Sequence, residues 1–139
     1  MSLLVDTSFF VAVRSLRDAA HARAIGLFQE ILRGEHGAIH TTDFVFAEAV
    51  TVALARTRRH SAAVGVGEFM LRAGDGRPFF LMHHVTRDEL LEAWEEFRRY
   101  RDKGLSMVDW TSVVVARKLE ADAILSFDEG FDGVYPRLS

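Results

Sequence analysis

The sequence predicts an α/β fold with a central, mainly parallel sheet of four to five strands and helices on both faces. Short apolar runs bounded by turn signals recur along the chain, and longer segments with helical spacing separate them. Runs of this length are typical of strands that are buried on both faces. Strands that alternate with helices form crossover units, and such units build a parallel sheet.

The predicted strands are the four short apolar runs. They lie at residues 3–5, 38–40, 79–83 and 123–126. Each run is too short for a buried helix, and residues with turn or cap propensity flank it. Reactive groups in such sheets lie beyond the carboxyl ends of the strands, so residues that follow these runs are the first candidates for a site.

The clearest predicted helix is the segment "TRDELLEAWEEFRRYRDKG", residues 86–104. Thr86 and Glu89 have the spacing of a capping box, and Gly104 supplies a stop signal. Its apolar residues recur with the spacing of one helix face, at Leu90, Leu91, Trp94 and Phe97. Further helices are predicted at 19–33, 42–58, 61–73 and 107–120, with a short one directly after Asp6.

Composition limits the class of protein. The 139 residues, 49% hydrophobic with 11 Phe, are enough for one core, so we expect a single domain over residues 1–139. The net charge of -3 provides no basic field, so contact with nucleic acid requires a local patch or a bound cation. The chain has no cysteine and no apolar stretch long enough to span a membrane, and we expect a soluble, cytoplasmic protein.

Two carboxylates directly follow predicted strands. Asp6 ends the run "LLV" and precedes Thr7 and Ser8, and Asp128 ends the run "AILSF". Either acid alone is more simply explained as a turn residue or a helix cap. The repetition of one pattern, an apolar strand and then a carboxylate, places both at the same edge of a parallel sheet.

Two more acids lie on predicted helices. Glu48 interrupts the apolar face of "TDFVFAEAVTVALAR", where an unpaired buried carboxylate is costly. It could instead reach water at the edge of that face or pair with an arginine. Asp109 opens the helix of "LSMVDWTSVVVARK", and its spacing from Ser106 also fits a capping box without any chemistry.

The combination of the four acids indicates a metal site. Carboxylates gathered without basic partners raise one another's pKa, and a divalent cation relieves this repulsion. Because the donors are oxygens and no cysteine is present, Mg²⁺ or Mn²⁺ is preferred over Zn²⁺. Such a centre suits the hydrolysis of phosphodiester bonds.

The motifs also carry a family resemblance. The stretches "LLVDTSFF", "VFAEAV", "LSMVDWTSVVVA" and "ILSFDEGF" resemble, in order and spacing, the PIN-domain family and in particular the VapC-like toxins of type II toxin–antitoxin systems. The resemblance implies a three-layer α/β/α PIN-like fold and a metal-dependent ribonuclease with its acids at Asp6, Glu48, Asp109 and Asp128. It also implies that a hydroxyl of Thr7 or Ser8 helps to hold a ligand or water, and that Ser106 matches the serine before the third acid.

The same resemblance implies an RNA substrate, a cognate antitoxin protein and a homodimer. One departure from the family pattern is Trp110, where a small residue is common; its bulk is expected to narrow the cleft or reshape substrate access without removing activity. The basic run at Arg56, Arg58 and Arg59, with Arg117 behind it, supplies candidate contacts to RNA phosphates. A solvated helix end is the more ordinary explanation of that run.

Three functions compete at this point. The leading hypothesis is a Mg²⁺- or Mn²⁺-dependent endoribonuclease. A degenerate PIN-like module that binds RNA or protein without cutting is the main alternative, and the presence of all four acids argues against it. A phosphotransfer domain with Asp6 as its covalent acceptor lacks the second acid expected two residues later, because Ser8 stands there.

Overall fold

The structure, a computed structural model, describes residues 1–139 as seven strands and six α-helices. The strands are β1 (Ser2–Val5), β2 (Ala38–Thr42), β3 (Ala73–Gly74), β4 (Arg77–Pro78), β5 (Leu81–His83), β6 (Ala123–Leu125) and β7 (Arg137–Leu138). The helices are α1 (Thr7–Arg14), α2 (His21–Leu32), α3 (Asp43–Thr57), α4 (His60–Met70), α5 (Arg87–Arg99) and α6 (Met107–Leu119), with short 3-10 turns at Arg101–Lys103 and Glu129–Phe131. None of these helices combines the length and apolar character needed to cross a membrane.

Five strands form one parallel sheet in the order β5-β2-β1-β6-β7, and β3 and β4 form a separate antiparallel hairpin. The predicted α/β class and sheet of four to five strands are confirmed. The strand predicted at 79–83 is shorter, because Phe80 turns into the core before β5 begins. The sequence did not indicate β7, a two-residue strand that pairs with β6 and lacks an apolar run.

Alternation along the central strand β1 separates two cores. Leu3 and Val5 face a core built with α1 to α4, whereas Leu4 faces a second core built with α5 and α6. Successive side chains of a strand point to opposite faces, so these three buried residues anchor both helical layers at once. The result is the expected three-layer α/β/α arrangement, with β1 at its centre.

Helix α6 is buried along most of its length, from Asp109 to Ala116. Trp110 is fully inside the second core and stacks on Tyr100, with ring centroids 5.7 Å apart. The expectation that Trp110 narrows the cleft is therefore wrong. Successive helical residues are rotated by about 100°, which turns Trp110 into the core while Asp109, also buried, lies on a different side of the helix.

Helix α5 forms where the sequence predicts it, but its apolar stripe is not its buried face. Glu89 and Ala93 are buried, whereas the stripe of Leu90, Leu91, Trp94 and Phe97 is 36 to 47% exposed. Glu89 tolerates burial because His83 Nε2 lies 3.0 and 2.8 Å from its two carboxylate oxygens and the Thr86 hydroxyl donates to it at 3.0 Å. Thr86 caps the helix by accepting from the Glu89 N–H, but Glu89 does not return the backbone bond of a capping box.

The other helices begin and end within three residues of their predicted bounds. The bounds differ mainly at α4, which ends at Met70 because the chain leaves it for the β3–β4 hairpin. Helical spacing in the sequence is therefore a good guide to where the helices lie.

Gly37 is the position where backbone freedom matters most for the sheet. Its φ is +68°, and a Cβ there would lie 2.1 Å from the carbonyl oxygen of Met1, which accepts the Ala38 N–H where β2 starts to pair with β1. We expect Gly37→Ala to lower the free energy of unfolding by more than about 2 kcal/mol, measured by chemical denaturation.

Gly26→Ala is the matched control, because Gly26 lies within α2 and a Cβ there meets nothing within 4 Å. It should raise the free energy of unfolding by about 1 kcal/mol through helix propensity. A Gly37→Ala protein as stable as the parent would contradict the close approach at Met1.

Candidate metal centre

A cleft of about 510 Å³ opens beyond the carboxyl ends of β1 and β6, between α3 and the start of α6. The structure brings all four predicted acids into its lining, which includes Asp6, Glu48, Asp109 and Asp128. Thr7, Ser8 and Ser106, the predicted supporting hydroxyls, line the same cleft. Residues from four distant parts of the chain therefore meet where the parallel sheet directs them.

Asp6 is the most deeply placed acid of the cleft. Its N–H donates to the Leu125 carbonyl at 3.0 Å, and this bond ties the end of β1 to β6. Its Oδ2 accepts hydrogen bonds from Ser126 at 2.8 Å and from Ser8 at 3.3 Å, whereas its Oδ1 is buried without any partner. Burial raises the pKa of Asp6, and the nearby Glu48 charge raises it further, although the Ser126 hydrogen bond opposes the rise.

Ser126 is a site residue that the sequence analysis missed. Its hydroxyl donates to Asp6 and accepts the Asp128 N–H at 3.0 Å, so it links the two acids that follow strands. Ser8 completes the network by lying 3.1 Å from Ser126 Oγ and accepting the Phe127 N–H at 2.9 Å. A hydroxyl at the end of an otherwise apolar strand, two residues before Asp128, was the signal available in the sequence.

Asp109 belongs both to a helix cap and to the cleft. Its Oδ2 accepts the Ser106 N–H at 2.8 Å, and its own N–H donates to Ser106 Oγ at 3.1 Å, which completes a capping box. The capping explanation given by the sequence is thus realised without removing Asp109 from the cleft. Burial, then the charge of Asp6 and that of Asp128, raise the pKa of Asp109 to about 6.

Glu48 projects from the middle of α3 and is half-buried. Burial raises its pKa, and the Asp109 charge adds to the effect, while the Thr7 hydroxyl lowers it. Thr7 Oγ1 is close enough to act on Glu48 but forms no hydrogen bond of good geometry. Asp128 is the exposed member of the set, and its Oδ1 accepts the Gly130 N–H at 2.8 Å.

The cleft has a deficit of positive charge. None of the four acids forms an ion pair with a lysine, arginine or histidine, and three of them have a raised pKa. Asp6 Oδ1 is an acceptor without a donor, which is costly for a buried oxygen. The carboxylate oxygens, which are metal ligands, and the unpaired Oδ1 of Asp6 fit a divalent cation.

A second group of metal-ligating side chains lies outside the cleft. Ligand atoms of Glu30, Glu35 and His36 all lie within 4.8 Å of one another, closer together than the cleft carboxylates. However, His36 already pairs with Glu30 at 2.8 Å, and Arg33 pairs with Glu35. The charge of this group is compensated without a metal, and we assign it a structural role.

Of the four arginines proposed as RNA contacts, only one lines the acidic cleft. Arg56 lines the cleft. Arg58 and Arg59 form the turn between α3 and α4 and do not line it. Arg117 lies on α6, pairs with Glu96 at 3.0 Å, and is not brought to the cleft.

The open parallel sheet and the carboxylates at its edge define an α/β protein with its site at the strand ends. The family model described as the PIN domain matches residues 3–135. The chain belongs to the PIN-domain family, as its motifs indicate.

The relatives agree with this assignment. The "23S rRNA-specific endonuclease VapC20" of Mycobacterium tuberculosis is 31% identical over 129 residues, which cover 93% of this chain and 91% of the relative. The crystal structure of VapC20, described as a sarcin-ricin loop cleaving toxin, superposes with a TM-score of 0.81 at 30% identity and covers 95% of this chain and 94% of that chain.

More distant structures share the fold alone. VapBC2 from Rickettsia felis, bound to a DNA fragment from its promoter, has a TM-score of 0.66 at 13% identity and covers 99% of this chain and 98% of that chain. FitAcB from Neisseria gonorrhoeae has a TM-score of 0.64 at 14% identity, with coverage of 99% and 96%.

The raised pKa of Asp109 predicts how the stability of the metal-free protein depends on pH. The folded-state pKa of about 6 lies above the ordinary value of 3.8, so the folded protein holds this proton more tightly than the unfolded chain. The associated stability is present in full below about pH 4 and is lost as the pH rises through about 6. Asp109→Asn should therefore stabilise the metal-free protein at pH 7.5 by up to about 3 kcal/mol, and much less at pH 4.

Thermal and denaturant unfolding in EDTA at the two pH values would measure this. Asparagine can still accept the Ser106 N–H through its Oδ1, so the helix cap is kept. Asp75→Asn, an exposed change in the β3–β4 hairpin, is the control. An Asp109→Asn protein that is less stable than the parent at pH 7.5 would contradict the prediction.

Proposed function

We propose that this chain is a divalent-metal-dependent endoribonuclease that acts as the toxin of a type II toxin–antitoxin pair. The observation that carries the proposal is the set of four carboxylates without ion-pair partners in one cleft, with Asp6 Oδ1 buried and unpaired. RNA as the substrate is supported by the relative VapC20, which is named as an endonuclease of 23S rRNA and covers nearly the whole chain. We take residues 1–139 to act as a single PIN domain.

Asp6, Glu48, Asp109 and Asp128 are the residues that would hold the metal. Their donors are all oxygens, which favours Mg²⁺ or Mn²⁺. When bound, the ion lowers the pKa of a coordinated water and offsets the negative charge that develops on the scissile phosphate.

The protein's own contribution is to hold these acids in place. Ser126 and Ser8 fix Asp6 Oδ2, which leaves Oδ1 without a hydrogen-bond donor, and Ser106 fixes Asp109 from the helix cap. Supporting hydrogen bonds of this kind restrict the rotation of a ligand and maintain its geometry. Thr7 and Glu48 lie together where a water could be held, and Arg56 at the rim offers a charge to a phosphate.

A protein partner is part of the proposal. VapC20 is described as a toxin, and the motifs resemble those of toxins that are paired with antitoxins, so we expect this chain to bind a cognate antitoxin. We place both proteins in the cytoplasm, the compartment of ribosomal RNA.

A homodimer is supported by an apolar groove of about 550 Å³ on α3. Phe44, Ala47, Thr51, Val52 and Val108 line this groove, and it joins the acidic cleft at Glu48. Exposed apolar side chains beside a site are a common feature of protein interfaces. We propose that a second copy of the chain covers it.

Cleavage should depend on the acids and on a divalent ion. We expect Asp6→Asn and Asp109→Asn each to reduce RNA cleavage by at least about a hundredfold, and EDTA to abolish it, because the metal loses a ligand or is removed. Ser126→Ala should reduce cleavage by about tenfold to a hundredfold, since it acts through Asp6. Cleavage of ribosomal RNA followed on gels, with Mg²⁺ or Mn²⁺ restored after EDTA, is the measurement.

Asp75→Asn should cleave like the parent. Full activity of either Asp6→Asn or Asp109→Asn would sink the metal assignment. Calorimetry that detects no binding of either ion would support a module that does not cut, and a phospho-aspartate trapped at Asp6 would support phosphotransfer.

The dimer surface can be tested separately from catalysis. Ala47→Arg places a long side chain in the apolar groove, and it should convert the dimer to a monomer because its bulk would hold the two copies apart. Ala55→Arg, also exposed on α3 but outside the groove, is the matched control. Light scattering after size-exclusion chromatography measures the mass, and an Ala47→Arg protein that stays dimeric would exclude this groove as the interface.

A further inference from the structure

Helix α5 exposes an aromatic pair that the proposed catalytic cleft does not use. The rings of Trp94 and Phe97 stack with centroids 5.9 Å apart and planes at 18°, and the two side chains are 47% and 38% exposed. Leu90 and Leu91 continue the same face toward the start of the helix. A contiguous exposed face of large apolar side chains marks an interaction surface rather than a core.

The end of α5 and the turn after it form a basic turn, which we define as residues 98–103. It contains four cations, Arg98, Arg99, Arg101 and Lys103, and one acid, Asp102. Arg98 pairs with Glu95 at 2.7 Å on the surface, whereas Arg101 and Lys103 form no ion pair. The Arg99 guanidinium lies over the Tyr100 ring, 5.9 Å from its centroid.

The basic turn leads directly into the acidic cleft. Gly104, the next residue, lines the cleft, and Tyr100 stacks on Trp110, which follows the cleft residue Asp109. Trp94 precedes Tyr100 by six residues, which is about 9 Å along a helix axis. The aromatic pair, the basic turn and the cleft residue Gly104 therefore follow one another along the chain within a short distance.

We propose that α5 is a second RNA-contact surface, in which the basic turn binds phosphates and the aromatic pair stacks an unpaired base of the same RNA. This inference rests on the proposed function, because the RNA is the one whose scissile phosphate enters the acidic cleft. Exposed aromatic rings beside cations are the combination that binds single-stranded nucleic acid.

The local positive charge of the basic turn, and not the charge of the whole chain, favours RNA over a protein as the occupant. The chain has a net charge of -3 and an acidic cleft, so its overall field repels a polyanion and local cations must offset the repulsion. The apolar face alone would also suit a protein segment, but the basic turn keeps a net positive charge after Asp102 and the Arg98–Glu95 pair are counted, and its continuity with the cleft indicates a polyanion. The stacking role requires an RNA with unpaired nucleotides, because bases within a duplex are not free to stack on a side chain.

Binding of a fluorescein-labelled RNA stem-loop to the Asp109→Asn protein, followed by fluorescence anisotropy, tests the surface without cleavage. Trp94→Ala should weaken binding by about tenfold, since alanine cannot stack on a base. Trp94→Phe keeps a ring and should retain most of the affinity. Arg101→Ala with Lys103→Ala should lower the dependence of log affinity on log salt by roughly one for each phosphate that these two side chains neutralise.

Two matched controls separate stacking and local charge from general effects. Leu91 is 46% exposed on the same face, so Leu91→Ala removes a similar apolar exposure without a ring and should leave RNA binding unchanged. Arg77→Ala removes an exposed cation in the β3–β4 hairpin and should leave the salt dependence unchanged. A fully paired RNA duplex should bind the parent and Trp94→Ala equally.

Parent-like binding of the stem-loop by Trp94→Ala would overturn the proposal, as would an equal reduction in Leu91→Ala. If both variants bind RNA normally but fail to bind the cognate antitoxin, α5 is a protein-docking surface and the proposal is wrong. Failure of the proposed function would appear as undiminished RNA cleavage by Asp109→Asn. Failure of the α5 proposal would instead leave metal-dependent cleavage by the parent intact, and Trp94→Ala would bind the RNA as the parent does.

Discussion

The burial of a carboxylate at the end of the central strand is the constraint on which the rest of this structure depends. Asp6 must be held by β1, and β1 is central only because Leu3, Leu4 and Val5 fill cores on both faces of the sheet. The same packing removes Asp6 from water, which makes its charge expensive. Three further acids near it increase that cost, so the fold stores electrostatic repulsion at the edge where it would bind an ion.

Local hydrogen bonds limit where this repulsion can be relieved. The serine network holds one oxygen of Asp6, and the capping box holds one oxygen of Asp109, so neither side chain can rotate away from its neighbours. Ser126 serves both strand-end acids, since it donates to Asp6 and accepts from the Asp128 backbone. Substitutions within this network are therefore expected to be non-additive, because each residue restricts the others.

Much of the fold could be predicted from the sequence because its signals are local. The apolar runs before Asp6 and Asp128 identify the two strands that carry them, and the spacing of Ser106 and Asp109 identifies the start of α6. The carboxyl-edge rule for parallel sheets then predicts that the four acids share one cleft, and the structure places all four there. Their role as metal ligands stays a prediction.

The parts that could not be predicted depend on contacts between distant residues. Helical periodicity detects α5 but does not determine which face meets α6, and the buried face includes Glu89 because His83 from β5 compensates its charge. Trp110 was misplaced for a similar reason, since its partner Tyr100 lies at the end of another helix. Ser126 is chemically ordinary in sequence and becomes informative only when β6 lies beside β1.

The acidic cleft also constrains how this protein can evolve. Exchange of a cleft acid for its amide removes electrostatic repulsion from the cleft. At position 109 the amide oxygen can still accept the Ser106 N–H, so the helix cap is kept. Loss of nuclease activity should therefore strengthen the fold. Selection for a stable chain and selection for an active one then act in opposite directions at the same few positions. Lineages released from the need to cut would be expected to drift toward inactive, durable descendants that keep the scaffold for binding alone.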